Sequence, residues 1–128
     1  MKTSTILVVE DENIVAKDLQ NRLKRLGYAV PELASSGEEA IRKASATRPD
    51  LVLMDIGLRG KIDGIEAAQQ IFARLHIPVV FLTAYADDST IRRAKVVKPF
   101  GYIGKPLEDQ ELYSTLNNFF ARASRKPK

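Results

Sequence analysis

The sequence predicts an α/β domain, a doubly wound parallel sheet of five strands that alternate with five helices. Three observations lead to this prediction. Several short apolar runs are continuous rather than alternating, which is typical of parallel strands buried on both faces. The segments between these runs have helical spacing, and the regular alternation favours a sheet covered on both sides. The 128 residues are enough for one domain that folds without a disulfide or a structural metal.

The strands are predicted from five apolar runs. The first, third and fourth runs are continuous, and the fifth is the weakest. Because crossovers between parallel strands are right-handed, only a few topologies remain for such a sheet. The five predicted strands are Thr5–Val9, Tyr28–Val30, Leu51–Met54, Pro78–Leu82 and Tyr102–Ile103.

The helices are predicted from apolar residues spaced three or four apart. The first stripe, which begins at Val15, ends before Gly27, a natural C-terminal stop. Capping boxes that start at Ser36 and Asp63 open the second and third helices. The fourth segment, 87–97, has the weakest apolar pattern. The last stripe comprises Leu112, Leu116, Phe119, Phe120 and Ala123.

Composition excludes several classes of function. The chain has no cysteine, so a disulfide framework, a thiol nucleophile and a zinc–thiolate site are excluded. Its single histidine, His76, excludes a metal site with two histidines. No apolar run approaches the roughly 20 residues needed to cross a bilayer, and the first residues do not form a signal peptide. These features predict a cytoplasmic protein.

The net charge of +4 comes from the C-terminal segment. Residues 122–128 hold four basic residues and no acidic one, whereas residues 1–121 carry sixteen charges of each sign. We therefore expect a domain at 1–121 followed by a disordered basic tail at 122–128. A basic face with aromatic residues, which nucleic-acid binding usually requires, is not indicated, and no direct binding of nucleic acid or membrane is expected.

Polar residues follow four of the predicted strands where each strand ends. In such sheets ligands bind beyond the carboxyl ends of the strands. Acidic residues follow the first and third strands, a hydroxyl follows the fourth and an ammonium group follows the fifth. The fold should therefore bring these groups to one edge. The residues are Glu10, Asp11, Glu12, Asp55, Thr83, Ala84 and Lys105.

The chemistry of this set favours a divalent cation and phosphate. Clustered carboxylates repel one another, by roughly 4 kcal/mol per close pair at an effective dielectric near 20, and so recruit a cation. Two or three carboxylates suit Mg²⁺ better than Ca²⁺. Asp55 is the best nucleophile for phosphoryl transfer, because a carboxylate is already ionised. Lys105, the Thr83 hydroxyl and the Ala84 peptide N–H are expected to bind phosphoryl oxygens.

Each of these residues, taken alone, has a simpler interpretation. Asp11 or Glu12 could cap the following helix, and Asp55 could be a turn residue. Thr83 could bond its own backbone, and Lys105 could be a solvated lysine. The functional hypothesis depends on all four positions occurring together, in this order, at successive strand ends.

The sequence resembles the receiver domain of two-component response regulators over nearly its whole length, from about Thr5 to Phe120. The resemblance implies a flavodoxin-like (βα)5 fold, similar to a chemotaxis receiver, with strand order 2-1-3-4-5. The matching segments are Val8–Glu12, Leu53–Ile56, Asp63–Glu66, Pro78–Ala84 and Gly101–Pro106.

The resemblance also implies roles for individual residues. Asp55 would accept a phosphoryl group from a phosphohistidine on a sensor histidine kinase or a histidine phosphotransfer protein. Mg²⁺, for which Mn²⁺ could substitute, would be held by Glu10, Asp11, Asp55 and the Gly57 backbone carbonyl. Lys105, in a cis peptide bond with Pro106, would contact the phosphoryl group.

The same resemblance implies a switch. Thr83 would move toward the phosphoryl group and Tyr102 would change rotamer in response. This pair would change the face made by the fourth helix, fifth strand and fifth helix, which would bind an unknown downstream protein or form a homodimer. Such a protein catalyses only its own phosphorylation and dephosphorylation and is not an enzyme acting on an external substrate.

Three features depart from the commoner family pattern. The loop 57–62 is slightly longer than usual, and Gly57 has no side chain with which to order an attacking water. Tyr85, two residues after Thr83, could shield the phosphoryl group. Phe100 precedes the fifth strand, where it could either reshape the output face or anchor the last loop.

Other functions remain as alternatives. The chain could be an unphosphorylated pseudo-receiver that acts as an interaction module, or a receiver fragment of a longer regulator or hybrid histidine kinase, although Met1 close to the first strand favours a natural N-terminus. A magnesium-dependent phosphatase would place a second acid at Gly57, and an FMN protein would have a Ser/Thr-rich phosphate loop after the first strand.

Overall fold

The computed structural model describes residues 3–84 and 88–125. Within these ranges, five parallel strands alternate with five helices. The strands are β1 (Ile6–Val9), β2 (Leu33–Ala34), β3 (Leu51–Asp55), β4 (Val79–Thr83) and β5 (Gly101–Gly104). The helices are α1 (Asn13–Arg25), α2 (Gly37–Thr47), α3 (Gly64–Leu75), α4 (Asp88–Val97) and α5 (Asp109–Arg125). The strand order is β2-β1-β3-β4-β5, which confirms the doubly wound sheet and the order implied by the resemblance.

The sheet is buried on both faces, as its continuous apolar strands predicted. Successive side chains along a strand point to opposite faces, so Leu7 packs in one apolar cluster and Val8 in the other. One cluster includes residues of α2, α3 and α4, and the other includes residues of α1 and α5. The helices therefore cover the sheet from both sides and leave its carboxyl edge as the place for polar chemistry.

The second strand does not lie where the apolar run placed it. We predicted it at Tyr28–Val30, but β2 is Leu33–Ala34, and Ala29 makes only an isolated bridge to Thr5. The run is nevertheless buried, since Val30 is fully enclosed in the α1–α5 cluster. Pro31 follows this run and has no N–H for a strand ladder. The apolar pattern thus identified burial correctly and strand pairing incorrectly.

The final helix extends beyond the predicted domain boundary. Helix α5 continues to Arg125, so residues 122–125 are helical and the boundary placed at 121/122 falls inside the helix. The rest of the predicted tail, 126–128, lies outside the described residues. In the part of the chain that is described, none of the helices has the length and apolar character of a membrane span.

Both predicted capping boxes begin helices, but only the second is reciprocal. Asp63 accepts a hydrogen bond from the Glu66 N–H (2.9 Å), and the Glu66 carboxylate accepts one from the Asp63 N–H (3.1 Å). At α2, Ser36 accepts from the Glu39 N–H, whereas the Glu39 carboxylate turns to the N–H of Ser35 instead. Asp63 therefore holds the start of α3 firmly, at the edge of the sheet where the polar residues collect.

Candidate functional site at the carboxyl edge of the sheet

The strand register brings the predicted site residues to one edge. Val9, the last residue of β1, pairs with Met54, which directly precedes Asp55. Thr83, the last residue of β4, pairs with Gly104. The N–H of the next residue, Lys105, donates to the Thr83 carbonyl oxygen (2.7 Å). Because these strands are parallel and adjacent, the residues that follow them end at the same level.

A lysine bridges two buried carboxylates at the centre of this edge. The Nζ atom of Lys105 lies 3.0 Å from Oε1 of Glu10 and 3.2 Å from Oδ2 of Asp55. Glu10 and Asp55 are only 1% and 6% exposed. Backbone groups hold the remaining oxygens, since the Glu12 N–H donates to Oε2 of Glu10 and the Gly57 N–H donates to Oδ1 of Asp55, each at 3.0 Å. The three charges are therefore fixed in place.

Burial and neighbouring charges act on the pKa values of Glu10 and Lys105. Burial, with the nearby negative charge of Asp55, raises the pKa of the Glu10 carboxyl, although the Glu12 N–H and the Lys105 ammonium oppose this. Burial acts against the charge of Lys105, but Glu10 and Asp55 outweigh it, so the pKa of Lys105 is raised. The ammonium charge is therefore secure at neutral pH, where it can stabilise an anionic group.

The carboxylates fit a divalent cation. Oxygen atoms of Glu10, Asp11 and Asp55 all lie within 4.8 Å of one another. Glu10 and Asp55 already accept hydrogen bonds on both oxygens, whereas Asp11 makes none among the described residues and lines the open cavity. An all-oxygen set with room for water suits Mg²⁺. Among the described residues, Asp11 is thus the carboxylate least committed to hydrogen bonds within the protein, and Glu10 is the most constrained.

A cavity of about 640 Å³ opens above Asp55 and contains most of the predicted site. It is lined by Asp11, Asp55, Gly57, Thr83, Ala84 and Lys105, together with other residues considered below. The Lys105–Pro106 peptide bond is cis, as expected from the resemblance. Apart from Glu10, which is buried behind Lys105 and does not line the cavity, the residues predicted to bind metal and phosphoryl oxygens therefore share one solvent-accessible space.

Gly64 allows α3 to begin directly against the backbone of Asp55. A side chain at Gly64 would collide with the carbonyl oxygen of Asp55 and with the backbone of Ile56. Only glycine permits this close approach. The start of α3 thereby supports the peptide that carries Asp55, a function that the sequence pattern showed only as the second position of a capping box.

Three other predicted residues lie away from the cavity or outside the described chain. Tyr102 is 38% exposed and packs its ring 6.1 Å from that of Phe81, and it does not line the cavity. Phe100, predicted either to reshape the output face or to anchor the last loop, packs edge-to-face on Phe119 of α5 at 4.9 Å, so its aromatic contact is with the last helix and not with a loop. Tyr85 lies outside the described residues.

Sequence reasoning missed two arginines that line the cavity. Arg59 comes from the loop after β3, and Arg93 comes from α4, where its Nη2 lies 2.8 Å from Oδ2 of Asp63. Asp63 had been identified only as a helix cap. Because α4 has a weak apolar pattern, the sequence offered no reliable guide to the face on which Arg93 lies. Together with Lys105 these side chains give the cavity three cationic groups.

Comparisons with known proteins show the family of the chain. The sequence profile of the response regulator receiver domain matches residues 6–117. Transcriptional regulatory protein PdtaR of Mycobacterium tuberculosis is 35% identical over 107 residues, which are 84% of this chain and 52% of that protein. The chain spans about half the length of the curated relatives it matches.

Solved structures show the same fold. The signal receiver domain of a modulated diguanylate cyclase from Desulfovibrio desulfuricans G20 superposes with a TM-score of 0.85 at 40% identity, covering 91% of this chain and 92% of that one. A CheY-like receiver domain protein from Methanospirillum hungatei JF-1 reaches a TM-score of 0.90 at 22% identity, covering 98% and 100% of the two chains. The chain therefore belongs to the response regulator receiver domain family of two-component systems, whose members interact with histidine kinases and generally bind Mg²⁺.

Proposed function

We propose that this domain takes a phosphoryl group from a phosphohistidine onto Asp55, in the cytoplasm, and that the change is read by a partner protein. The observation that carries the proposal is the buried arrangement of Glu10, Asp55 and Lys105, with the cavity open above Asp55. The donor would be a sensor histidine kinase or a histidine phosphotransfer protein. The domain would catalyse only its own phosphorylation and dephosphorylation.

In the transfer, a carboxylate oxygen of Asp55 forms a bond to phosphorus while the phosphorus–nitrogen bond of the phosphohistidine breaks. The electron pair of that bond stays on the imidazole nitrogen, which takes up a proton from solvent. Lys105 already lies beside Asp55 and stabilises the negative charge on the transferred oxygens. Thr83 and Ala84 line the same cavity and supply further hydrogen-bond donors.

Mg²⁺ would be held by Asp11, Asp55 and Glu10, with the Gly57 carbonyl as the ligand that the family resemblance adds. When bound, the ion neutralises charge on the phosphoryl oxygens and aligns them with the attacking carboxylate. The chemistry of the ligand set supports this assignment, because every available donor is an oxygen. Mn²⁺, which accepts similar ligands, is expected to substitute.

The experiment is incubation with Mg²⁺ and acetyl phosphate, a small acyl phosphate donor, followed by intact-mass measurement. We expect the wild-type protein to gain one phosphoryl group and Asp55→Asn to gain none. Asp18→Asn, a change on the exposed surface of α1, is the matched control and should be labelled like wild type. No gain by wild type, or an equal gain by Asp55→Asn, would favour the pseudo-receiver interpretation instead.

The partner face is proposed at α4, β5 and α5, with Thr83 and Tyr102 as the switch. Several large apolar side chains on these elements are exposed, and such groups favour protein contacts. They are Ile91, Val96, Tyr102 and Tyr113. The downstream partner could be another protein, a second copy of the domain, or a further part of a longer regulator or hybrid kinase. Pull-down with and without phosphorylation, using Val96→Lys as a face variant, tests this assignment.

A further inference from the structure

An ion pair links two helices that line the phosphoryl cavity. Arg93 on α4 contacts Asp63, the N-cap of α3, at 2.8 Å between Nη2 and Oδ2. Both residues line the cavity that contains Asp55 and Lys105. The Asp63–Arg93 pair is therefore placed where an incoming phosphoryl group would approach it, although neither residue belongs to the metal or nucleophile set.

The ion pair is well suited to change partners. The Arg93 side chain is 50% exposed, so its attraction to Asp63 is weakened by solvent. The Asp63 carboxylate does not depend on Arg93, because its other oxygen accepts the Glu66 N–H at 2.9 Å as part of the capping box. Losing the arginine thus leaves Asp63 partly exposed and still hydrogen-bonded, without a buried unpaired charge.

A phosphoryl group on Asp55 would be a stronger partner for the guanidinium than the Asp63 carboxylate. It carries more negative charge, and it offers three acceptor oxygens in a geometry that arginine can bind with two N–H groups at once. Lys105, by contrast, is bound between Glu10 and Asp55 and has little freedom to change position. Arg93 lines the same cavity from α4, a helix of the proposed partner face, and its contact with Asp63 leaves it outside this fixed cluster.

We propose that Arg93 is a phosphoryl-binding residue of the activated state: its guanidinium leaves Asp63 and binds the phosphoryl oxygens on Asp55. The inference rests on the proposed function, because Asp55 must first carry that group. The exchange removes the ion pair between α3 and α4 and replaces it with an ion pair between α4 and the phosphorylated aspartate. Helix α4 is thereby coupled to phosphorylation directly, in addition to any movement of Thr83.

The test uses beryllium fluoride with Mg²⁺, a stable mimic of an aspartyl phosphate. Affinity is measured by titration calorimetry for wild type, Arg93→Gln and the matched control Arg92→Gln, which removes the same charge from the neighbouring exposed position. Loss of a charge-assisted pair should weaken binding about tenfold in Arg93→Gln. Arg92→Gln should stay within about twofold of wild type, since a more distant surface charge is screened.

A second variant and a second readout separate binding from mere structural support. Asp63→Asn keeps a capping side chain but removes the competing charge, so it should bind the mimic at least as tightly as wild type. In wild type, the side-chain Nε–H signal of Arg93 in a nitrogen-edited NMR spectrum, assigned from its loss in Arg93→Gln, should shift on binding. An unmoved signal would contradict the exchange of partners.

The outcomes distinguish the inference from the function on which it rests. If wild type binds the mimic and Arg93→Gln binds as tightly as Arg92→Gln, the role of Arg93 is refuted and the phosphoacceptor function stands. If wild type neither binds the mimic nor gains a phosphoryl group from acetyl phosphate, both proposals fail together. If Asp63→Asn weakens binding as much as Arg93→Gln, the ion pair is a structural tie and the inference is wrong.

Discussion

The two sides of the cavity hold their charges in different ways. On the β1–β3–β5 side, the side chain of Lys105 is 23% exposed and bridges two carboxylates whose side chains alone are 1% and 9% exposed. On the α3–α4 side, Arg93 and Asp63 are 50% and 31% exposed and share one contact. A buried charge cannot easily lose its partner, whereas an exposed pair contributes little and can be exchanged. The first side therefore holds its charges rigidly, whereas the second side could exchange partners as proposed.

The largest effect on stability is expected from removing the lysine of the buried cluster. Lys105→Met leaves Glu10 and Asp55 without their cation in a buried setting, and should lower the free energy of unfolding at pH 7 by about 3 kcal/mol. Urea denaturation measures the change, with exposed Lys95→Met as the control for loss of a lysine. Adding Glu10→Gln should restore part of the loss. Equal midpoints for the two lysine variants would contradict the claim that burial makes the difference.

The next effect concerns the backbone support of Asp55. Gly64→Ala introduces a side chain that collides with the Asp55 carbonyl oxygen, and should lower stability by about 2 kcal/mol and reduce phosphorylation of Asp55. Gly101→Ala is the matched control, because a side chain there meets nothing within 4 Å. Thermal unfolding and intact-mass labelling measure the two effects. Similar behaviour of the two variants would show that the close approach at Gly64 is not required.

A smaller effect on stability is expected at the N-cap of α3, on the α3–α4 side of the cavity. Asp63→Ala removes the N-cap of α3 and should cost about 1 kcal/mol, whereas Asp63→Asn should retain most of that stability. Chemical denaturation of the two variants beside wild type gives the difference. A loss as large in Asp63→Asn as in Asp63→Ala would show that charge, and not capping, dominates.

The pH dependence of Asp63 sharpens the same comparison. Partial burial opposes its ionisation, but the Glu66 N–H and the Arg93 guanidinium hold the pKa of the Asp63 carboxyl below its ordinary value of 3.8. The charge of Asp63 therefore stabilises the fold above pH 3.8, and this contribution is lost as pH falls through the lower folded-state pKa. The small stability advantage of wild type over Asp63→Asn should disappear in that acidic pH range. Denaturation measured at several pH values checks this expectation.

The smallest effect is expected from breaking the exposed pair itself. Arg93→Gln should change the free energy of unfolding only slightly, and less at high salt, because solvent already weakens the attraction. Thermal melts at low and high ionic strength provide the measurement, beside Arg92→Gln. A loss comparable with that of Lys105→Met would show that the two sides of the cavity do not differ in the way described.

The pattern of polar residues at strand ends correctly predicted which residues meet on the β1–β3–β5 side of the cavity. Continuous apolar strands force a sheet buried on both faces, and parallel pairing then brings Asp55, Thr83 and Lys105 to one edge. The alternative that Glu12 only caps α1 is not supported, because its side chain makes no capping hydrogen bond. Local patterns are sufficient here because the position of each residue follows from the end of its own strand.

The same reasoning failed where packing between distant segments decides the outcome. The apolar run at Tyr28–Val30 is buried without forming β2. Burial and strand pairing are separate properties, and an apolar pattern reports only the first. The pairing of Arg93 with Asp63, thirty residues apart, likewise had no local signal, since each residue alone resembled an ordinary solvated or capping side chain.

By itself, the amino-acid sequence determined the alternation of strands and helices, the parallel sheet and the polar residues that meet at its carboxyl edge, because these depend on periodicity and on residues at strand ends. Only the tertiary structure decided how α3 and α4 meet across the cavity and which charges are buried there. Contacts between elements depend on how the helices pack on the sheet, and that packing sets the exposure that separates Lys105 from Arg93.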